Sequence, residues 1–238
     1  MPVAGLKAGV RVLMLKNAPR LFITGIVFII FTTVMTELII RLPGTSGAYD
    51  LFLMRIRKGE LPTLKLFFSN LKSAGMAIAA LLWLLKPIVK VGYMRYCLKI
   101  TRGDAGTHKV FFNEFLFFGK ILIISVCTKI IIFLWSILFF FPAIPAYYRY
   151  RQAYFILLDA PDKSVLQCIR ESGHIMAGNK LDLFLLDLSF AGWGVLNLAV
   201  AILLPVPFML PLIKIWLTPY YNLTKTAYYN QLLNKLLF

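Results

Sequence analysis

"LDLFLLDLSFAGW", residues 181–193, is apolar enough to enter a bilayer, yet it carries Asp182 and Asp187. Asp182 follows Lys180 and suits the wet end of a helix. Asp187 falls about two helical turns beyond Lys180, where an ionised carboxylate costs about 2.5–3.5 kcal/mol even on insertion scales. A carboxylate at that depth needs a cation on a neighbouring helix. The stretch therefore predicts a helix bundle with a polar face turned inward. At steps of three and four residues that face runs through Asp187, Ala191, Gly194, Asn197 and Ala201. Small residues on such a face would let helices approach closely, leaving Leu, Phe and Val to meet lipid.

The rest of the chain supports a membrane setting. Of its 238 residues 60% are hydrophobic and only 15% charged, against about 45–50% and about 25% in soluble domains. Apolar runs of roughly 20 residues recur, the length that spans a hydrocarbon core. No polar stretch is long enough for a soluble domain, so residues 1–238 are expected to form one integral membrane domain. The first apolar run, 21–41, is too long for a signal-peptide core and lacks a cleavage pattern, so it reads as a retained span.

The expected fold is all-α: six full spans at 21–41, 73–91, 115–141, 143–158, 181–203 and 207–228, plus short returning helices at 44–57 and 88–100. Pro142 and Pro145 separate two spans, as do Pro205 and Pro207. Residues 1–20 and 163–177 read as amphipathic helices at the interface. Segments 43–75 and 87–119 align without gaps as an internal repeat, sharing Pro43/Pro87, Tyr49/Tyr93, Gly59/Gly103, Lys65/Lys109 and Phe67/Phe111 among others. Each copy would be a span, a proline, a returning helix and a basic turn. Gly59 and Gly103 suit C-caps, and Thr63 and Thr107 suit N-caps.

Under this drawing most of the 26 Lys and Arg fall on the N-terminal side, while Arg41, Lys86 and Lys90 fall opposite. That imbalance gives an N-in, C-in orientation. The net charge of +16 is spread over short loops without a nucleic-acid-reading motif, so anionic lipid headgroups suit it better. Arg57, Lys58, Arg102 and Lys109, in the basic turns, are the expected headgroup contacts.

Within the spans, Arg151 and Arg149 in "AYYRYRQAYF" are the expected partners of Asp187, since Arg151 and Asp187 sit at matching depth. Glu37 and Lys129 could pair or line a cavity, and Asn197 adds a third intramembrane polar group. Tyr147, Tyr148, Tyr150 and Tyr154 suit interfacial anchors. "GTSG" (44–47) places Ser46 in a pattern seen in intramembrane serine proteases. A serine nucleophile needs a histidine base, and His108 and His174 both lie in amphipathic stretches far from it. No catalytic, metal or cofactor site is expected, and three cysteines without C-x-x-C spacing predict no disulfide framework.

Residues 133–193 carry further motifs: Leu134–Trp135–Ser136, Ile144–Pro145, Leu158–Asp159–Ala160–Pro161, Ser172, Met176–Ala177–Gly178–Asn179–Lys180 and Leu186–Asp187–Leu188–Ser189–Phe190–Ala191–Gly192–Trp193. In combination they resemble the bacterial integral membrane proteins of domain-of-unknown-function family 975. Those show an LWS span ending in IPG, then "ILADNP", "S…MKGHK" and "LDLSFIGW". Ala146 stands where that pattern has glycine, and Asn179 where it has histidine. The resemblance implies a multi-helix bundle in a bacterial plasma membrane and does not itself imply catalysis. The expected function is non-enzymatic: binding lipids or a membrane partner in envelope upkeep or export. The alternative is a small transporter or permease subunit with a site near Asp187 and Arg151.

Overall fold

The computed structural model describes residues 3–41, 54, 58, 73–104, 118–138, 140–203 and 209–237. Among them the chain is helical and contains no strand. In order the helices are α1 (Val3–Lys16), α2 (Ala18–Arg41), α3 (Ser73–Thr101), α4 (Phe118–Leu138), α5 (Phe140–Arg149), α6 (Ala153–Asp159), α7 (Val165–Ile175), α8 (Lys180–Leu203) and α9 (Met209–Leu237). Three stretches, Ala18–Ile39, Gly75–Thr101 and Phe118–Ile137, are long and apolar enough to cross a membrane.

The long helices are two-faced. On α2, Ile23, Val27, Ile30, Phe31, Val34 and Leu38 are exposed along one side, while Leu21, Thr24 and Met35 are buried. On α4, Ile123, Ile130, Phe133, Leu134 and Ile137 face outward and Ile121, Ile124, Ser125 and Thr128 inward. Spacings of three and four keep each set on one face. Large aliphatics thus occupy both faces of these helices, while Thr24, Ser125 and Thr128 turn inward, as helices with lipid on one side require.

Contacts fix the helix directions. Phe28 of α2 stacks on Tyr93 of α3 at 4.3 Å, and further along Lys86 Nζ donates to Thr36 Oγ1 at 2.9 Å. α3 thus runs back along α2. α9 closes on both: a Cβ on Gly25 would come within 3.0 Å of the Pro219 ring and 3.3 Å of the Tyr93 hydroxyl, so this approach needs glycine. The end of α3, the start of α4 and the ends of α6 and α9 gather at one end of the bundle. There Arg102 forks onto Asp159 at 2.7 and 2.8 Å, Tyr229 donates to Asp159 at 2.9 Å, and Lys120 donates to the Pro161 and Lys163 carbonyls. Gly103 ends α3 with φ +87°. Its N–H bonds Ile100 O at 3.1 Å, and Asp104 N–H bonds Lys99 O at 3.0 Å, a Schellman ending as the glycine predicts.

The two segments read as amphipathic, 1–20 and 163–177, each contribute a helix with one buried face. α1 buries Val10 and Met14, and Arg11 donates to the Tyr220 hydroxyl at 3.3 Å. α7 starts in a reciprocal capping box between Ser164 and Gln167 and buries Cys168, Ile169, Ser172 and Ile175. Cys97, Cys127 and Cys168 are free thiols, and burial raises the Cys168 pKa.

Several expectations need correcting. Residues 88–100 do not return: α3 continues through Pro87 as one helix. The proline removes one hydrogen bond, but neighbouring helices hold both halves in line. Returning segment 44–57, apart from Met54, lies outside the described residues, as do Ser46, Arg57, Lys109, Thr63, Thr107 and most of the first repeat copy. The span drawn at 143–158 is two helices, α5 and α6, broken at Tyr150–Gln152. The small-residue face of α8 is not buried. Leu183, Leu186 and Phe190 are buried instead, while Ala191 and Gly194 are exposed. The side chain of Asn197 lies outside the described residues.

Candidate functional site

The break between α5 and α6 organises the site. Two turn signals are missing here, since neither proline nor glycine occurs between Pro145 and Asp159. The stitch comes from α7. Gln152 N–H donates to Ser172 Oγ at 3.2 Å, and that hydroxyl donates to Arg149 O at 2.7 Å. One fully buried serine thus supplies partners to backbone groups on both sides of the break, which a buried break requires.

Arg151 leaves the break toward α8 and α9. Its guanidinium forms an ion pair with Asp187 through both nitrogens, the Nη2–Oδ1 bond at 3.2 Å. Arg151 Nη2 also donates to the Tyr221 hydroxyl at 2.6 Å. Tyr221 in turn donates to Asp187 Oδ1 at 3.0 Å, and Tyr148 donates to Oδ2 at 3.1 Å. The guanidinium lies 5.2 Å from the Tyr147 ring centroid and 5.6 Å from that of Tyr148. Both charges are largely enclosed, with side-chain exposures of 11% and 18%. The structure thus brings Asp187 and Arg151 together and gives the carboxylate two phenol donors that the sequence reading assigned to interfacial anchoring or left out. Arg149 points elsewhere, over the Tyr150 ring and against Gly173, where a Cβ would stand 2.9 Å from its Nε.

Beside this pair lie two partly open cavities. The larger, about 650 Å³, is walled by α2, α3, α4 and α9 and lined by Lys86, Lys90, Lys129 and Lys214, with Thr32, Thr33, Thr36 and Glu37 across from them. The smaller, about 170 Å³, continues past Lys90, Lys129 and Tyr154 to Arg151, Gln152, Asn222 and Lys225. Glu37 and Lys129 therefore share a cavity wall, and Lys129 Nζ stands 3.4 Å over the Trp83 ring centroid. Lys90 sits between buried Val89 and Val91, and its exposed side chain faces the cavities it lines. That corrects the placement of Lys90 on an outer loop: α3 does not turn at Pro87, so the residues after it stay inside the bundle. Lys225, expected at the N-terminal side, lines the smaller cavity.

The basic-turn residues divide. Lys58 is exposed. Arg102 is committed to Asp159 and to Asn230 Oδ1 at 3.2 Å, and the bond to Asp159 raises its pKa. It ties α3, α6 and α9 together. Among the described residues no cluster of His, Cys, Asp and Glu could hold a metal ion.

Sequence reasoning found the ion pair because a lone carboxylate in an apolar run demands a partner. It missed the lysine convergence, since Lys86, Lys90, Lys129, Lys214 and Lys225 come from three helices with no shared motif. Comparison with known proteins adds one finding. Residues 140–235 match the model of a family described as "Protein of unknown function (DUF975)", which agrees with the resemblance read from residues 133–193. No curated protein and no solved structure matches the chain.

Proposed function

From a chain whose residues 140–235 match the DUF975 family model, we propose a non-enzymatic membrane protein that binds an anionic lipid. The observation that carries this is the larger cavity, where four lysines face one carboxylate across about 650 Å³. Each uncompensated cation within a bilayer costs about 2.5–3.5 kcal/mol on insertion scales, so the wall favours an occupant of opposite charge. The outward aliphatic faces of α2 and α4 suit acyl chains on the same helices.

In this reading the bundle crosses the membrane six times, with α2, α3, α4, α5 plus α6, α8 and α9 as the crossings. The end holding Arg102, Asp159 and Lys120 is cytoplasmic, giving N-in and C-in. The helix directions support it, because alternate crossings bring these groups to one end. It is also the end where cations gather, as the positive-inside rule asks.

A second reading, a small transporter, draws on the broken helix. Discontinuous helices at membrane depth are tolerated where they line a cavity, and in transporters they form binding sites. Arg151 stands at such a break.

Native mass spectrometry of the protein extracted from a mixture of phosphatidylglycerol and phosphatidylcholine tests lipid binding. The expected result is preferential retention of phosphatidylglycerol, reduced about tenfold by Lys86→Gln with Lys214→Gln. Retention of both lipids alike, or retention indifferent to these lysines, would remove the reading. The orientation is tested by cysteines at Gly103 and Pro205 in a cysteine-free background. In intact cells an impermeant reagent should label position 205 and spare 103.

A further inference from the structure

The smaller cavity has a different character from the larger one. Lys90, Lys129, Lys225 and Arg151 line it, and no carboxylate does. Asp187 stands behind Arg151 and is saturated by it, by Tyr148 and by Tyr221. Of the four cations, then, Arg151 alone has a carboxylate bonded to it among the described residues. Lys225 lies in the field of Arg151 and Lys90, and Lys90 in that of Arg151 and Lys129, with the more distant Asp187 opposing the repulsion at both. The three ammonium groups repel one another in a space partly closed to water. Lys129 and Lys225 rest on aromatic faces, over Trp83 at 3.4 Å and Tyr221 at 4.0 Å, which softens the repulsion without cancelling charge.

We infer that this chamber is a binding site for a phosphate group of charge minus two or more, a phosphomonoester or diphosphate. The inference rests on the reading that the larger cavity admits anionic ligands, and it names their chemistry at the inner end. Size and charge both select. A volume of about 170 Å³ exceeds a water's share of about 30 Å³ several-fold, room for one or two phosphate groups. Three ammonium groups to which no carboxylate is bonded among the described residues call for more than one negative charge, which a carboxylate or a phosphodiester does not bring. Ammonium groups serve phosphate as mobile point charges. Asn222 borders the same space; one of its amide N–H groups goes to Thr218 O, which leaves the other for a phosphate oxygen. Asp187 has the complementary task. By holding Arg151 it fixes one wall of the chamber and keeps that cation from collapsing across it. Along α9, Lys214 and Lys225 are separated by about 16 Å at 1.5 Å per residue, so the lysines mark a path covering about half of a 30 Å hydrocarbon core.

The phosphate could arrive on a lipid or free, and the test separates the two. The full chain in phosphatidylcholine nanodiscs is unfolded thermally in rising inorganic pyrophosphate, with sodium chloride matching ionic strength. A second series replaces part of the phosphatidylcholine by phosphatidic acid, and a third by phosphatidylglycerol. We expect stabilisation by pyrophosphate or phosphatidic acid beyond the chloride control, and less from phosphatidylglycerol. Stabilisation by phosphatidic acid alone assigns the phosphate to a headgroup; stabilisation by pyrophosphate assigns it to a free anion. Lys225→Gln should weaken the effective probe by about tenfold, while Lys225→Arg retains it. Without probe, Lys225→Gln should melt no lower than the wild type, because it removes an uncompensated charge. Lys214→Gln, confined to the larger cavity, should leave pyrophosphate stabilisation unchanged while lowering phosphatidylglycerol retention. Failure of the lipid reading therefore appears at Lys214, and failure of this inference at Lys225. Stabilisation by neither phosphate probe, or stabilisation indifferent to Lys225→Gln, overturns the site.

Discussion

α3 carries Pro87 in its interior and runs unbroken from Ser73 to Thr101. The chain from Phe140 to Asp159 has no proline or glycine after Pro145, yet it breaks at Tyr150–Gln152. The difference lies in what surrounds each point. Around Pro87 the neighbouring helices hold a straight course: Lys86 bonds Thr36 on one side, and Tyr93 stacks on Phe28 below. Losing one backbone bond does not repay a reversal. At the break, α7 offers a buried hydroxyl to the freed backbone, and α8 and α9 offer Asp187 and Tyr221 to the side chain that leaves it. Helix continuity here is decided by the partners available to displaced polar groups, more than by the residues at the point itself. The break in turn delivers a cation to a cavity that a continuous helix would have carried past it.

Three sites can break or sharpen this contrast: the ion pair, the stitch and Pro87. The largest effect is expected at the ion pair. Asp187→Asn should destabilise the protein by about 3–5 kcal/mol, because Arg151 is left enclosed without a counter-charge. Combining it with Arg151→Gln should recover much of that loss, and a double-mutant cycle in detergent measures the coupling. Arg149→Gln, whose guanidinium lies over Tyr150, should add to Asp187→Asn without coupling. Next comes the stitch. Ser172→Ala leaves Gln152 N–H and Arg149 O without the hydroxyl they share, at about 1–3 kcal/mol. A cost below about 0.5 kcal/mol, inside the range of ordinary surface substitutions, would mean that the break does not depend on α7. The smallest effect is expected at Pro87→Ala. A continuous helix should accept alanine with a change of at most about 1 kcal/mol, in the stabilising direction where the restored N–H finds its carbonyl. A large loss would show that α3 depends on its proline, and the two regions would then be more alike than they look.

The helical class and the three apolar spans at Ala18–Ile39, Gly75–Thr101 and Phe118–Ile137 were legible because long apolar runs tolerate few alternatives. Asp187 was legible as a problem, and Arg151 as its answer, because depth in a helix can be counted from either end. The break was not legible. Its cause, Ser172, lies twenty residues downstream on another helix, and no local pattern at Tyr150–Gln152 announces it. The lysine-lined cavities were hidden for a related reason: treating Pro87 as a reversal moved Lys90 to an outer loop and so dispersed the cluster. The small-residue face of α8 was over-read, since Ala191 and Gly194 continue a periodicity that the packing does not follow.

The central claim is that the interior lined by Lys90 is accessible and strongly cationic. A cysteine at position 90, in a background with Cys97, Cys127 and Cys168 replaced, tests this most directly. Lys86, Lys129, Lys214 and Arg151 remain to set the field. Anionic and cationic methanethiosulfonates of similar size are compared, with each rate normalised to the reagent's rate on a free thiol. The account predicts that the anionic reagent reacts at Lys90→Cys at least about tenfold faster than the cationic one, with the gap narrowing as salt rises. Equal rates, or a preference for the cationic reagent, would contradict it.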